Sequence, residues 1–503
     1  MLDEISRATT TTVYSLFAAR ALVSPDRIAV VDGTREISYR HFAARVASCA
    51  TALAVRGVGP GDRIALLSEN RVEVLEVLLA AARLGAIVAC QNWRLAPPEL
   101  AHCLELVEPT LFVVSPRHQA ALPATDKPVL VFGAQYVNAL AAIPPIASRP
   151  VDPESPLVIL YTSGTTGLPK GAVISHRAQI VRNLVTRAEF GIQPTDTFVA
   201  WSPLYHMGAV DNSLGTLMSG GTVIVVDGFD VDRLCDIVDT TPLGWLLLMP
   251  GMVGRFATEL AQRGVIPENI RVCGVMADLV PPSEIAAITE LLGAPYANTF
   301  GATETGCPPC SSSLIPIGVA PTKLSKVQSP FCEVRLVDAD DRDVPDGQPG
   351  ELAMRGPTLF SGYWRADETN RHDFRGGWFH MGDVFVRNPD GTLEFVDRVK
   401  YLIKSGGENV YPAEIERVLF RDPRVAECAV VRAKDPKWGE VPIAFVARHD
   451  PNDEALDEAA LFELCKGELA SYKRPKQIRF IAFDQFPRSA SGKVQRHELE
   501  RLL

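Results

Sequence analysis

From residue 28 to about residue 300, short β-branched apolar runs alternate with longer stretches of helical periodicity. This alternation limits the fold more than any other feature of the chain. Ile28–Val31, Arg63–Leu67, Leu157–Leu160, Thr222–Val226 and Trp245–Leu248 read as strands. Phe42–Val55, Val72–Leu84, Val231–Val238 and Ser283–Leu292 read as helices between them. A strand, a crossover helix and a second strand return the chain in one direction, so the pattern predicts parallel-type sheets covered by helices. Val74 to Cys90 is apolar but holds Glu76 and Arg83, and reads as a buried helix running into a strand rather than a membrane span.

Beyond about residue 330 the pattern changes. Glu333–Val337, Gly350–Met354 and Thr392–Phe395 are short strands separated by Asp-Gly, Pro-Gly and Asn-Pro-Asp-Gly turns, which predicts a small antiparallel layer or barrel. After Asp397-Arg398-Val399-Lys400 comes a last stretch with helices at Pro412–Leu419 and Glu458–Leu469, and strands at Val425–Val431, Ile443–Ala447 and Ile478–Ala482. The expected architecture is an α/β N-terminal domain, residues 1–399, with parallel-type sheets, helices and a small β-barrel. A small α+β C-terminal domain follows, residues 400–503.

The segment Tyr161-Thr162-Ser163-Gly164-Thr165-Thr166-Gly167-Leu168-Pro169-Lys170, followed by Gly171, lies between two apolar runs and reads as strand, loop, strand. Such a loop presents backbone N–H groups, small hydroxyls and one cation to the same point, which suits a polyphosphate. It is not the Walker pattern, because Lys170 is preceded by Pro169 and followed by Gly171. The net charge of −10 argues against nucleic acid as a main partner. Met1 to Arg7 carries two acids and no apolar core, so no secretory signal is expected there. Ten scattered cysteines suit reduced thiols and a cytoplasmic location. Cys307 and Cys310 form the one close pair, and no second pair at metal spacing accompanies them.

With these pieces in place, the chain resembles the adenylate-forming acyl-CoA synthetases over nearly its whole length. The resemblance rests on seven ordered blocks: Tyr161 to Gly171, Trp201 to His206, Asn298 to Glu304, Gly377 to Asp383, Asp397-Arg398, Ser405 to Asn409, and Gly492-Lys493. It implies two steps. A carboxylate attacks the α-phosphate of ATP and expels pyrophosphate; the thiol of CoA then attacks the acyl-adenylate and AMP leaves. Two anions meet in the first step, so positive charge and donors must compensate.

The resemblance also assigns residues. Thr162, Ser163, Gly164, Thr165, Thr166 and Lys170 would grip the β- and γ-phosphates. Glu304 would take Mg²⁺, which prefers one or two carboxylates plus phosphate oxygens, with Thr303 on the α-phosphate; the bland alternative for Glu304 is an acid at a helix start. Phe300 would stack on adenine with Asn298 at its edge, and Thr299 and Gly301 belong to the same block. Asp383 would accept from the ribose hydroxyls, Arg398 would meet ribose and phosphate with Asp397 orienting it, and Phe395 would border the nucleotide. Lys493 is the expected catalytic cation. His206 would line or gate the carboxylate end of the acyl pocket, since the first step gives it no proton to remove. Met207, Val210, Asp211, Val275, Met276 and Ala277 complete that pocket. Lys400 is the expected hinge between the two half-reactions. Ser405, Gly406, Gly407, Trp438 and Lys473 would receive CoA, the glycines letting a thin arm pass close to the backbone.

One segment departs from the family pattern. Where relatives place small residues and a proline, this chain has Val275-Met276-Ala277-Asp278. Val275 and Met276 fill space, which favours a short, branched or compact cyclic or aryl acid; Asp278 is expected to cap the helix beginning near Pro281. The partners expected are therefore a small carboxylic acid, ATP and CoA, with Mg²⁺, in a monomer or homodimer. Two alternatives stay open: an adenylating enzyme that loads a carrier-protein thiol, and a catalytically silent nucleotide-binding regulator.

Overall fold

The computed structural model describes residues 2–141, 146–147, 149–162, 168–405, 408–453, 455–488 and 494–503. They divide into two compact units, one made of residues 1–333 and 355–374, the other of residues 334–354 and 375–503. The antiparallel sheet beyond residue 330 thus groups mainly with the C-terminal residues.

The first unit is built on two large sheets. One runs Val129–Val131, Leu111–Val114, Arg63–Leu67, Ile87–Cys90, Pro156–Thr162, Lys170–Ser175, and all neighbours are parallel except the last pair. The other runs Leu314–Ile315, Tyr296–Ala297, Ile270–Cys273, Leu243–Leu246, Thr197–Ala200, Thr222–Val225, Ile28–Asp32, Arg35–Ser38, parallel through its centre and antiparallel at both edges. Continuous burial along the central strands is what a sheet covered on both faces requires. The helix Val72–Leu84 buries nearly its whole surface, stops at Gly85 in the left-handed conformation, and runs into the strand Ile87–Cys90. No helix among the described residues is long and apolar enough to cross a membrane.

In the second unit, Glu333–Val337, Pro349–Arg355, Phe379–Arg387 and Leu393–Arg398 form a four-stranded sheet in that order, its last three strands antiparallel to one another in turn. A further sheet pairs Val425–Asp435 with Gly439–Arg448. Helices Pro412–Leu419 and Glu458–Glu468 pack against it through Ile415, Leu419, Leu461 and Cys465. All ten cysteines are free thiols.

Candidate active site

The expected phosphate loop springs from a hairpin. Pro156–Thr162 and Lys170–Ser175 are antiparallel, with Thr162 opposite Lys170. Ser163, Gly164, Thr165 and Thr166 lie outside the described residues. Gly171 is required by packing, since a Cβ there would fall 2.8 Å from Ile159 Cγ2. The segment 360–364 crosses beside this strand: Ser361 N–H donates to Val173 O (2.8 Å), Val173 N–H to Gly362 O (3.0 Å) and Trp364 N–H to Gly171 O (2.8 Å).

That crossing delivers Tyr363, which joins two of the predicted residues. Lys170 Nζ lies 4.7 Å from the centre of the Tyr363 ring, within cation–π range. The Tyr363 hydroxyl donates to Glu304 Oε1 at 2.7 Å. Glu304 sits in the turn between Phe300–Ala302 and Gly306–Cys310, so it is no helix-start acid. It is 9% exposed, and Phe360 N–H donates to its carbonyl at 2.9 Å. A carboxylate fixed through one oxygen keeps acceptor capacity at the other. This fits a magnesium ion that takes most of its ligands from phosphate and water. Among the described residues no group of three or more His, Cys, Asp or Glu could cage a metal unaided. When bound, the ion would supply charge neutralisation for the phosphates.

Beneath the turn lies Arg182, only 2% exposed. Its Nη2 donates to Thr303 O (3.0 Å), its Nε to Thr358 O (2.9 Å) and its Nη1 to Asp211 Oδ2 (3.2 Å). Burial pushes the Asp211 carboxyl up, and Arg182 opposes that rise. Arg182 and Tyr363 were missed from sequence. Both stand far along the chain from the block they serve, and only the topology reveals them. Gly301 permits a close backbone crossing, since a Cβ there would fall 2.0 Å from Gly306 O. Thr303 and Phe300 are half-buried, whereas Thr299 and Asn298 are each 3% exposed. The Asn298 amide is committed within the protein: Nδ2 donates to Ser325 O (3.1 Å) and Leu324 O (3.4 Å), and Oδ1 accepts from Lys326 Nζ (2.6 Å). Its side chain is thus a strut whose amide hydrogens are spent, with one lone pair of Oδ1 left over.

The expected acyl residues separate into two sets. His206 is exposed, just before the helix Met207–Ser219, and Met207, Val275 and Met276 are half-buried. Val210 and Ala277 are fully buried, and Asp211 is buried and tied to Arg182. The open residues occupy the carboxyl ends of parallel strands, where α/β sheets bind ligands. Trp245 Nε1 donates to Gly274 O (2.9 Å) and the Tyr296 hydroxyl to Val275 O (3.1 Å), which pins the wall backbone. Met276 adopts a left-handed φ of 53°, unusual for a residue with a Cβ. Asp278 does not cap the helix Pro282–Leu292, which begins behind Pro281; its Oδ2 pairs with Lys326 Nζ at 2.6 Å.

In the second unit, Asp383 is central to the strand Phe379–Arg387, directly opposite Arg398. Arg398 Nε donates to Asp383 Oδ1 at 3.1 Å. Asp397 pins backbone instead of the guanidinium: its oxygens accept from Arg398 N–H (2.6 Å) and Ala413 N–H (2.7 Å). Burial raises the Asp397 carboxyl to about 6 against the pull of Arg496. Phe395 packs edge-on against Phe385, with ring centres 5.5 Å apart. Lys400 is exposed, with Nζ 4.9 Å from the centre of the Tyr401 ring. Ser405 pairs with Gly439, placing the exposed Trp438 beside that strand end. Lys473 Nζ is bound to Glu414 Oε1 at 2.7 Å, an ion pair that an incoming phosphate would have to break. Gly406, Gly407 and Lys493 lie outside the described residues.

Comparison with known proteins gives one consistent answer. The model of the AMP-binding enzyme family matches residues 17–364, and that of the AMP-binding enzyme C-terminal domain matches residues 414–493. An indoleacetate–CoA ligase of Aromatoleum aromaticum is 32% identical over 96% of each chain, and a feruloyl-CoA synthase of Amycolatopsis is 34% identical over 96% of this chain and 97% of its own. A 2-succinylbenzoate–CoA ligase of Geobacillus kaustophilus is 33% identical over 98% of each. Among solved structures, ATP-bound MatB from Rhodopseudomonas palustris superposes with a TM-score of 0.85 at 28% identity, covering 98% of this chain and 99% of that one.

Proposed function

Because the chain belongs to the AMP-binding enzyme family and is an acid–CoA ligase of the adenylate-forming superfamily, we propose how its own residues divide that chemistry and which acid it takes. The observation that carries the proposal is the continuous link from Lys170 through Tyr363 to Glu304, which ties the phosphate-loop strand to the metal-binding carboxylate. The loop of Thr162 to Thr166 and Lys170 holds the terminal phosphates, Glu304 holds Mg²⁺, and Thr303 meets the α-phosphate. Phe300 stacks on adenine, Asp383 and Arg398 hold ribose, and Lys493 bridges the attacking carboxylate and the α-phosphate. Lys400 serves as the hinge between the half-reactions, and Ser405, Gly406, Gly407 and Trp438 receive the pantetheine arm of CoA. The ten free thiols suit a reducing, cytoplasmic setting.

The acid is a compact aryl, cyclic or branched one. Val275 and Met276 stand on a backbone held from behind by Trp245 and Tyr296, so the wall cannot recede to admit a long chain. The similar ligases named for indoleacetate, feruloyl and 2-succinylbenzoate substrates support this size class. The test is a panel of acids scored by ATP–pyrophosphate exchange and by CoA-dependent AMP formation. Compact aryl or branched acids are expected to give the highest kcat/KM; a long-chain acid outperforming them overturns the substrate class. Exchange without any CoA-dependent turnover would point to a carrier-protein thiol instead.

A further inference from the structure

Lys326 is fully buried, an unusual setting for an ammonium. It touches two acceptors at once, Asp278 Oδ2 and Asn298 Oδ1, each at 2.6 Å. Those acceptors leave neighbouring parallel strands: Asp278 lies in the turn Ala277–Leu279 after Ile270–Cys273, and Asn298 directly follows Tyr296–Ala297. One buried cation therefore braces two loops at the ligand-binding edge of the sheet. Asn298 is largely committed to the brace, since both hydrogens of its amide and one lone pair of Oδ1 are bound within the protein. Asp278 is not. Its side chain is 24% exposed, and among the described residues Oδ1 meets no donor.

We propose that Asp278, held in place by Lys326, accepts a hydrogen bond from the exocyclic amine of adenine and sets the choice of nucleotide base. This rests on the nucleotide reading above, which places adenine on Phe300, two residues beyond Asn298. An ionised carboxylate is acceptor-only. Adenine offers it an N–H donor at C6, whereas guanine and hypoxanthine offer a carbonyl oxygen that it repels. The acyl substrate is the weaker candidate for this contact, because its own carboxylate is repelled by Asp278 while every ATP brings the amine. Lys326 is the positioning residue: it holds Oδ2 and leaves Oδ1 for the base.

The test compares pyrophosphate exchange with ATP, GTP, ITP and purine riboside triphosphate, which lacks the C6 amine. Wild type is compared with D278A and with D278A/K326M, the double variant removing the buried charge together with its partner. Wild type should favour ATP over purine riboside triphosphate by about 10- to 100-fold, the range of a hydrogen bond to a charged group. The double variant should bring that ratio to within about threefold, acting on the KM for nucleotide and leaving acid preference unchanged. Should the variants fail to fold, the wild-type ratio still decides. Robust exchange with a ratio near one overturns this inference alone, as does a variant with altered acid preference and intact base preference. Absence of exchange with every nucleotide and acid overturns the functional reading as well.

Discussion

Two buried acids, one in each unit, are held in contrasting ways. Glu304 is fixed by the Tyr363 hydroxyl and the Phe360 N–H, and its turn rests on Arg182, all remote along the chain. Asp397 is fixed by the N–H groups of Arg398 and Ala413, both within 16 residues along the chain. The first arrangement stores its geometry in long-range packing and the second in a local backbone frame. Losing a remote support should therefore disturb both stability and chemistry, whereas changes near Asp397 should act on stability with a pH signature.

The largest effect is expected at Arg182. R182M leaves Asp211 buried without its partner, which destabilises by about 3–5 kcal/mol, read by calorimetry. The double variant R182M/D211L should recover most of that stability. It should still need more Mg²⁺ for half-maximal exchange, because the Thr303 carbonyl has lost its clamp. A double variant with the wild-type magnesium requirement would reduce Arg182 to packing and erase the contrast.

Next comes Lys493, whose proposed role belongs to the adenylation step alone. K493A should lower adenylation by about 10²–10³-fold, the scale of removing a group that stabilises developing charge. Thioester formation from supplied acyl-adenylate should stay near wild type. Equal loss in both half-reactions would sink the assignment.

The same contrast explains what was legible in the sequence. The helix Val72–Leu84 ends where the sequence reading placed its end, because apolar periodicity and the glycine stop are local signals. The strands flanking the phosphate loop were legible for the same reason, since two apolar runs bracket a glycine-rich stretch. Lys326 was not: it sits in an irregular stretch of mixed polar residues that reads as solvated loop, and only tertiary packing buries it. For Asn298 the block marks the position but not the partners Leu324, Ser325 and Lys326 that hold its amide. Membership of the acyl segments does not say which side chains are buried; Val210 and Ala277 are, whereas Met207 and Met276 are half-exposed.

A smaller effect is expected at Asp397. Its carboxyl rises to about 6 mainly through burial. The protonated form is thus favoured by folding, and the corresponding stability is full below the ordinary aspartate value and lost as pH rises through about 6. The difference amounts to about 3 kcal/mol. Wild-type stability relative to D397N should therefore decline between about pH 4 and pH 6, measured as melting temperature across that window. A difference independent of pH would mean that the two backbone N–H donors keep Asp397 ionised throughout.

The smallest effect probes the remote arrangement with the least damage. Y363F keeps the ring under Lys170 and removes only the hydroxyl that donates to Glu304 Oε1. Glu304 stays in its turn through the backbone contacts of Phe360 and Arg182, so the fold should be nearly unaffected. The carboxylate, however, gains rotational freedom and an oxygen without its donor. One hydrogen bond to a charged group near the lower end of its usual range gives about a tenfold rise in the magnesium concentration for half-maximal exchange. Changing Lys170 to methionine in the same background separates the two halves of the link. If Tyr363 transmits loop position to Glu304, the double variant should lose less than the product of the single losses. Strict multiplication would show that Lys170 and Glu304 act independently, and that the ring merely fills space between them.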